Sequence, residues 1–158
     1  MFHIREALQD YDTSLQEIPL RADRLKIAKR LWRSTAEDGA DFGIEVDTPL
    51  SDGDVVWVSD RARYVVRQTP EPVLEIPLDV SPEAAALIGW AVGNMHFVIE
   101  AQSTRLLAPD DPGLRQALDR ASIHYHRIVE IFKPHRWSGT FVGHSHGHHN
   151  GHGHAHHH

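Results

Sequence analysis

The sequence has no cysteine among its 158 residues. That absence removes thiolate metal sites, disulfides, iron–sulfur clusters and cysteine nucleophiles in one step, and it fits a reducing compartment. No run approaches the roughly 18 apolar residues that a membrane span needs. The start, Met1-Phe2-His3-Ile4-Arg5-Glu6, carries an acid and no apolar core. No secretory signal is therefore expected, and the cytoplasm is the expected address. Basic excess is missing too: 16 Lys and Arg face 22 Asp and Glu, for a net charge of −6. Such a balance gives no electrostatic reason to bind nucleic acid. The chain lacks a P-loop, a His-Glu-x-x-His helix and a dinucleotide fingerprint, so no enzyme is expected.

What is present suits a soluble globular core of one domain or two small ones, with 41% hydrophobic and 24% charged residues. The anomaly is 14 histidines, unevenly placed. Nine of them crowd the end of the chain: His144, His146, His148, His149, His152, His154, His156, His157 and His158.

Residues 1 to 75 read as a β-rich domain. Gly43-Ile44-Glu45-Val46 alternates, while Val55-Val56-Trp57-Val58 and Tyr64-Val65-Val66 are rich in β-branched and aromatic residues. Ser51-Asp52-Gly53-Asp54 and Ser59-Asp60-Arg61-Ala62 are turn signals, the second closing a hairpin. The basic stretch Arg21, Arg24, Lys26, Lys29, Arg30 and Arg33 has acids on both flanks and reads as a solvated face. Pro70-Glu71-Pro72 is the expected stiff linker.

Beyond it, residues 76–142 form the expected second domain. Val73-Leu74-Glu75-Ile76 reads as a strand. Ser81-Pro82-Glu83 then starts a helix, with a capping Ser, a first-turn Pro and an acid. Gly93 is expected to end that helix in a left-handed conformation. His96–Glu100 and Arg105–Leu107 read as strands, Asp111-Pro112 opens a second helix to about Ala121, and Ile123–Ile131 is a last strand. The order strand, helix, strand, strand, helix, strand predicts an α+β chain whose second half is ferredoxin-like, with both helices on one face of an antiparallel sheet. Residues 143–158 hold no large apolar side chain and are expected to form a disordered tail.

The tail carries the strongest chemical signal. Neutral imidazole is a good ligand for nickel, zinc and copper, and interspersed Gly lets several wrap one ion. All nine tail histidines are therefore candidate metal ligands. The alternative is a purification tag, although Gly, Ser, Asn and Ala interrupt this run. Gly143-His144-Ser145-His146-Gly147 matches a hydrolase nucleophile elbow in letters only, because the chain is too short for the sheet that motif needs. His96 reads either as a structural histidine at a helix–strand junction or as a ligand. One imidazole cannot hold an ion, but a two-fold axis would supply a second. His124-Tyr125-His126 places two imidazoles on one face of a strand, as ligands or simply as exposed side chains. His135 is uninformative.

Five segments occur in order: Leu50-Ser51-Asp52-Gly53-Asp54-Val55-Val56, Glu71-Pro72-Val73-Leu74-Glu75-Ile76, Gly93-Asn94-Met95-His96, Ile131-Phe132-Lys133-Pro134, and a His-rich end. Together they resemble the urease accessory protein E family over nearly the whole chain. The resemblance implies a β-rich domain like the peptide-binding domains of some chaperones, followed by a ferredoxin-like metal-binding domain. It implies a homodimer holding Ni²⁺ through His96 of each subunit, with tail histidines assisting and Zn²⁺ or Cu²⁺ as competitors. It also implies delivery of nickel to apo-urease in a complex with the urease accessory GTPase. A second His-x-His site found in some members is missing, since Leu107-Ala108-Pro109-Asp110-Asp111 stands in its place. The rival reading is a metal reservoir or detoxifying buffer on a dimeric scaffold.

Overall fold

In the computed structural model, residues 1–135 are described. Residues 136–142 of the expected second domain lie outside them. So does every tail histidine expected to bind metal: His144, His146, His148, His149, His152, His154, His156, His157 and His158.

The first half is built from alternating strands. β1 (Phe2–Ile4), β3 (Leu31–Thr35) and β4 (Asp41–Glu45) form one sheet in the order β1-β4-β3, and β2 (Gln16–Ala22), β5 (Val55–Val58) and β6 (Ala62–Gln68) form another in the order β2-β6-β5. Within β4, Phe42 and Ile44 point inward while Asp41 and Glu45 face water, the period-two pattern of a half-buried strand. Those residues join Leu20, Trp32, Val56, Tyr64 and Val66 in a single core. Gly53 turns the chain at φ +98°, a conformation Gly reaches without steric cost. Ser59 closes the β5–β6 hairpin by donating its N–H to the Ala62 carbonyl at 2.8 Å.

Four of the six residues of the basic stretch, Arg21, Lys29, Arg30 and Arg33, are exposed as expected, while Arg24 and Lys26 are half-buried. The stretch spans the end of β2, a short helix α1 (Arg24–Ile27) and part of β3. Arg24 pairs with Glu71 at 2.8 Å and lies over the Phe132 ring, while Lys26 sits over Trp32. Phe132, far along the chain, recruits Arg24, and Trp32, six residues on, recruits Lys26.

The second half comprises β7 (Glu71–Pro77), α2 (Pro82–Asn94), β8 (Glu100–Ala101), β9 (Arg105–Pro109), α3 (Pro112–Arg120) and β10 (His126–Glu130). The sheet order is β10-β7-β9-β8, with every pairing antiparallel. Leu74 and Ile76 of β7, Leu106 and Ala108 of β9, Val92 of α2, and Leu114 and Leu118 of α3 share one cluster, so both helices cover the same sheet face. Val73, Leu107 and Phe132 pack on the opposite face.

Several boundaries differ from expectation. Pro70-Glu71-Pro72 is not a free linker: Glu71 and Pro72 already belong to β7, where Pro72 pairs with Val129. The expected division between 75 and 76 thus falls inside that strand. Gly93 does not end α2. The helix continues to Asn94, and the left-handed residue is His96, at φ +64°. His96–Glu100 is not a continuous strand, because only Glu100 and Ala101 find partners on β9. Phe97 and Ile99 mimic strand alternation because both pack against the cluster beneath the helices. At the other end, Ser122 takes φ +55° and Ile123 donates its N–H back to Leu118, so pairing of the last strand starts only at His126.

Candidate metal centre

His96 is positioned by the way α2 begins and ends. Ser81 Oγ accepts the N–H of Ala84 at 3.2 Å, and Pro82 supplies the fixed φ suited to a first helical residue. At the far end, Met95 donates to the carbonyls of Ala91 and Val92, and His96 donates its N–H to Gly93 at 2.9 Å. His96 then takes the left-handed conformation that glycine usually occupies after a helix. For a residue with a Cβ this costs roughly 1–2 kcal/mol. Phe97 and Ile99 anchor the next turn of chain, leaving His96 exposed at a fixed point. Strain held at an exposed imidazole is the kind of outlier that marks a functional position.

The surface leading to His96 is apolar. Leu87 is 65% exposed, Trp90 67% and Met95 39%. Leu87 and Trp90 lie three residues apart, on one outward stripe of α2 that runs toward His96.

Among the described residues, no three His, Cys, Asp or Glu side chains gather as a metal site. A metal held by His96 would need further donors from a second copy or from beyond residue 135. The chain reaches residue 135 close to His96: His135 donates its N–H to Ile99 at 2.8 Å, and its Nε2 lies 3.2 Å from the Ala101 carbonyl. His135 thus ties the end of the described chain to the segment that leaves His96. The expected ligands His144, His146, His148, His149, His152, His154, His156, His157 and His158 all follow this anchor in the sequence, outside the described residues.

The position of the absent peripheral pair is closed to metal by packing. Leu107 and Ala108 are fully buried in β9. Asp110 is taken up by Arg115 and Arg127, whose hydrogen bonds outweigh the burial that opposes its ionisation and hold its carboxyl below the ordinary range. His124 and His126 do come together, with ring centroids 4.6 Å apart.

Sequence reasoning missed one junction. Asp52, in the Ser51-Asp52-Gly53-Asp54 turn, accepts from the Gln68 N–H at 2.9 Å and pairs with Lys133 at 2.8 Å. Buried Gln68 in turn donates to the Phe132 carbonyl at 2.7 Å. Two of the segments that carried the resemblance, 81 residues apart at Asp52 and Lys133, hold each other. Their co-occurrence was the signal, and their contact was not readable.

Fold and site define a sheet-rich α+β protein that presents imidazole at a rigid helix end. A family model described as the UreE urease accessory protein, C-terminal domain, matches residues 71–158, starting at the first residue of β7. The urease accessory protein UreE of Geobacillus kaustophilus is 28% identical over 140 residues, covering 84% of this chain and 92% of its own. That of Beijerinckia indica is 30% identical, covering 77% and 69%. That of Bifidobacterium longum subsp. infantis is 27% identical over 79% of this chain, which spans 59% of that relative's length. This chain belongs to the UreE urease accessory protein family, a family of accessory proteins and not of enzymes.

Proposed function

We propose that the chain is a cytoplasmic homodimeric metallochaperone, without catalytic activity, that binds Ni²⁺ and hands it to apo-urease in a complex with the urease accessory GTPase. The observation that carries this reading is His96: exposed, in a left-handed conformation at the end of α2, and bordered by the apolar stripe of Leu87 and Trp90. A two-fold contact through that stripe would bring each His96 toward its mate, since an isologous interface pairs a patch with itself. The strand and sheet order of the second half supports a ferredoxin-like domain. We place the division from the β-rich first domain just before Glu71, where β7 and the family match both begin.

The nine tail histidines from His144 to His158 would add capacity and supply. His144 follows His135 by nine positions, a span that reaches at most about 30 Å. Tail imidazoles can therefore approach the His96 pair from a root fixed beside Ile99. Zn²⁺ and Cu²⁺ would compete, because imidazole sites follow the general affinity order of the first-row metals. The rival reading, a reservoir or detoxifying buffer, draws on the same nine histidines, which outnumber the single His96 of each chain nine to one.

The test replaces His96 without disturbing its backbone. Asn tolerates the left-handed region, so His96→Asn removes the imidazole while keeping the turn. In cells producing urease at limiting and at excess nickel, His96→Asn should lower urease activation at both levels. Deletion of 143–158 should lower it chiefly when nickel is limiting. Full activation by His96→Asn, with none by the tail deletion even at excess nickel, would overturn delivery through His96.

A further inference from the structure

A second metal position lies elsewhere on the second domain. The geometry points to His124 and His126 as a two-imidazole chelate for a divalent first-row ion favouring right-angled coordination, Ni²⁺ or Cu²⁺, independent of His96.

Local structure gives the pair its shape. Ser122 turns the chain at φ +55°, and Ile123 and Tyr125 pack inward against the cluster beneath the helices. Alternation then sends His124 and His126 outward together, and both are exposed. Their rings stand perpendicular, at 89°, with centroids 4.6 Å apart. With metal–nitrogen bonds of about 2.0–2.1 Å, two imidazoles on adjacent right-angled positions have centres about 4.5 Å apart, against about 5.2 Å on tetrahedral ones. The spacing of 4.6 Å lies near the right-angled case, the geometry Ni²⁺ and Cu²⁺ adopt, so rotation of the two exposed rings about their side-chain bonds would aim one nitrogen of each at a shared ion.

The surroundings allow a cation without completing a cage. His126 pairs across the sheet with Glu75, but Glu75 is held by Arg105 at 2.9 Å. Arg105 also pairs with Glu130 at 2.6 Å. Glu75 therefore acts as a neighbouring charge and not as a third ligand. Water would fill the remaining positions, leaving the ion open to exchange. The register separates this pair from the position of the absent His-x-His of some relatives: His126 sits opposite Glu75, toward the Pro77 end of β7, whereas that position lies at the Pro109 end of β9, opposite Val73.

The experiment uses the full-length chain with the nine tail histidines changed to Asn and His96→Asn added, so that neither element of the proposed delivery route contributes. Ni²⁺ and Cu²⁺ are titrated by calorimetry, with circular dichroism confirming the fold. One ion per chain should bind, and His124→Asn or His126→Asn should weaken it at least tenfold. No saturation by about 1 mM of either metal, or undiminished binding in the double His124→Asn, His126→Asn variant, would overturn the site. Neither result bears on nickel delivery through His96.

Discussion

α2 and α3 cover the same sheet face, yet their sequences use that position differently. α3 buries Leu114 and Leu118, four residues apart, and presents Gln116, Asp119 and Arg120 to water. Its capping Asp111 accepts from the Gly113 and Leu114 N–H groups at 2.7 and 3.1 Å. Within one chain α3 is complete. α2 buries Val92 and half-buries Ile88, then spends its outer stripe on Leu87 and Trp90, each about two-thirds exposed. Glu83 is its only charged residue. Among the described residues, packing explains α3 entirely and only the inner half of α2. A helix apolar on both sides is usual when both sides are covered. The helix left half-covered by the described residues is also the one that ends at His96.

The sharpest way to break this comparison is to truncate one leucine on each helix. Leu114 is fully buried, so Leu114→Ala should cost about 2–5 kcal/mol through lost burial and the cavity it leaves. That loss should be the same at every protein concentration in urea denaturation. In the proposed homodimer the partner surface of Leu87 would belong to another copy, so Leu87→Ala should show a cost that vanishes on dilution. A concentration-independent loss of similar size at Leu87 would mean that α2 is buried within its own chain after all.

Trp90→Ala probes the same stripe by association. Large aromatic side chains dominate interfaces when they are central, and removal costs roughly 1.4 kcal/mol or more, a tenfold or greater rise in the dimer dissociation constant. Sedimentation equilibrium measures it directly. An unchanged constant would move the interface off α2.

These two helices also show where the sequence was legible. Local chemistry wrote both starts: Ser81-Pro82 and Asp111-Pro112 cap as expected, because a cap is a contact between near neighbours. The end of α2 was not legible. Gly93 was the residue that left-handed geometry favours, but Phe97 and Ile99 must reach the core, and their placement puts the reversal at His96 instead. The same kind of override shortened β8 and β10 in the second half, since alternation is visible in sequence whereas a pairing partner is not. His96 was found from the sequence as a candidate, but its backbone strain and its apolar border were not. Nor was the anchoring of His135 to Ile99, which joins residues 36 apart in the chain.

The smallest effect lies in the charges that finish α3 and have no counterpart on α2. Asp110, just before α3, pairs with Arg115 on that helix and with Arg127 on β10. Burial disfavours its charged form, but hydrogen bonds from Arg127 and Arg115 outweigh this and lower its pKa. In the unfolded chain the carboxyl titrates near its ordinary value of about 3.9. The folded state thus holds its charge to a lower pH than the unfolded state does. The stability this contributes is complete above the unfolded value and is lost as pH falls through the folded one. Asp110→Asn should therefore cost about 1 kcal/mol at pH 7, and the gap from the parent chain should close as pH drops below about 4. Urea denaturation of both chains at steps between pH 7 and pH 3 follows that convergence. A gap that stays constant across the window would show that Asp110 acts through hydrogen-bond shape and not through charge. α3 would then owe its completeness, as far as these groups are concerned, to neutral contacts alone.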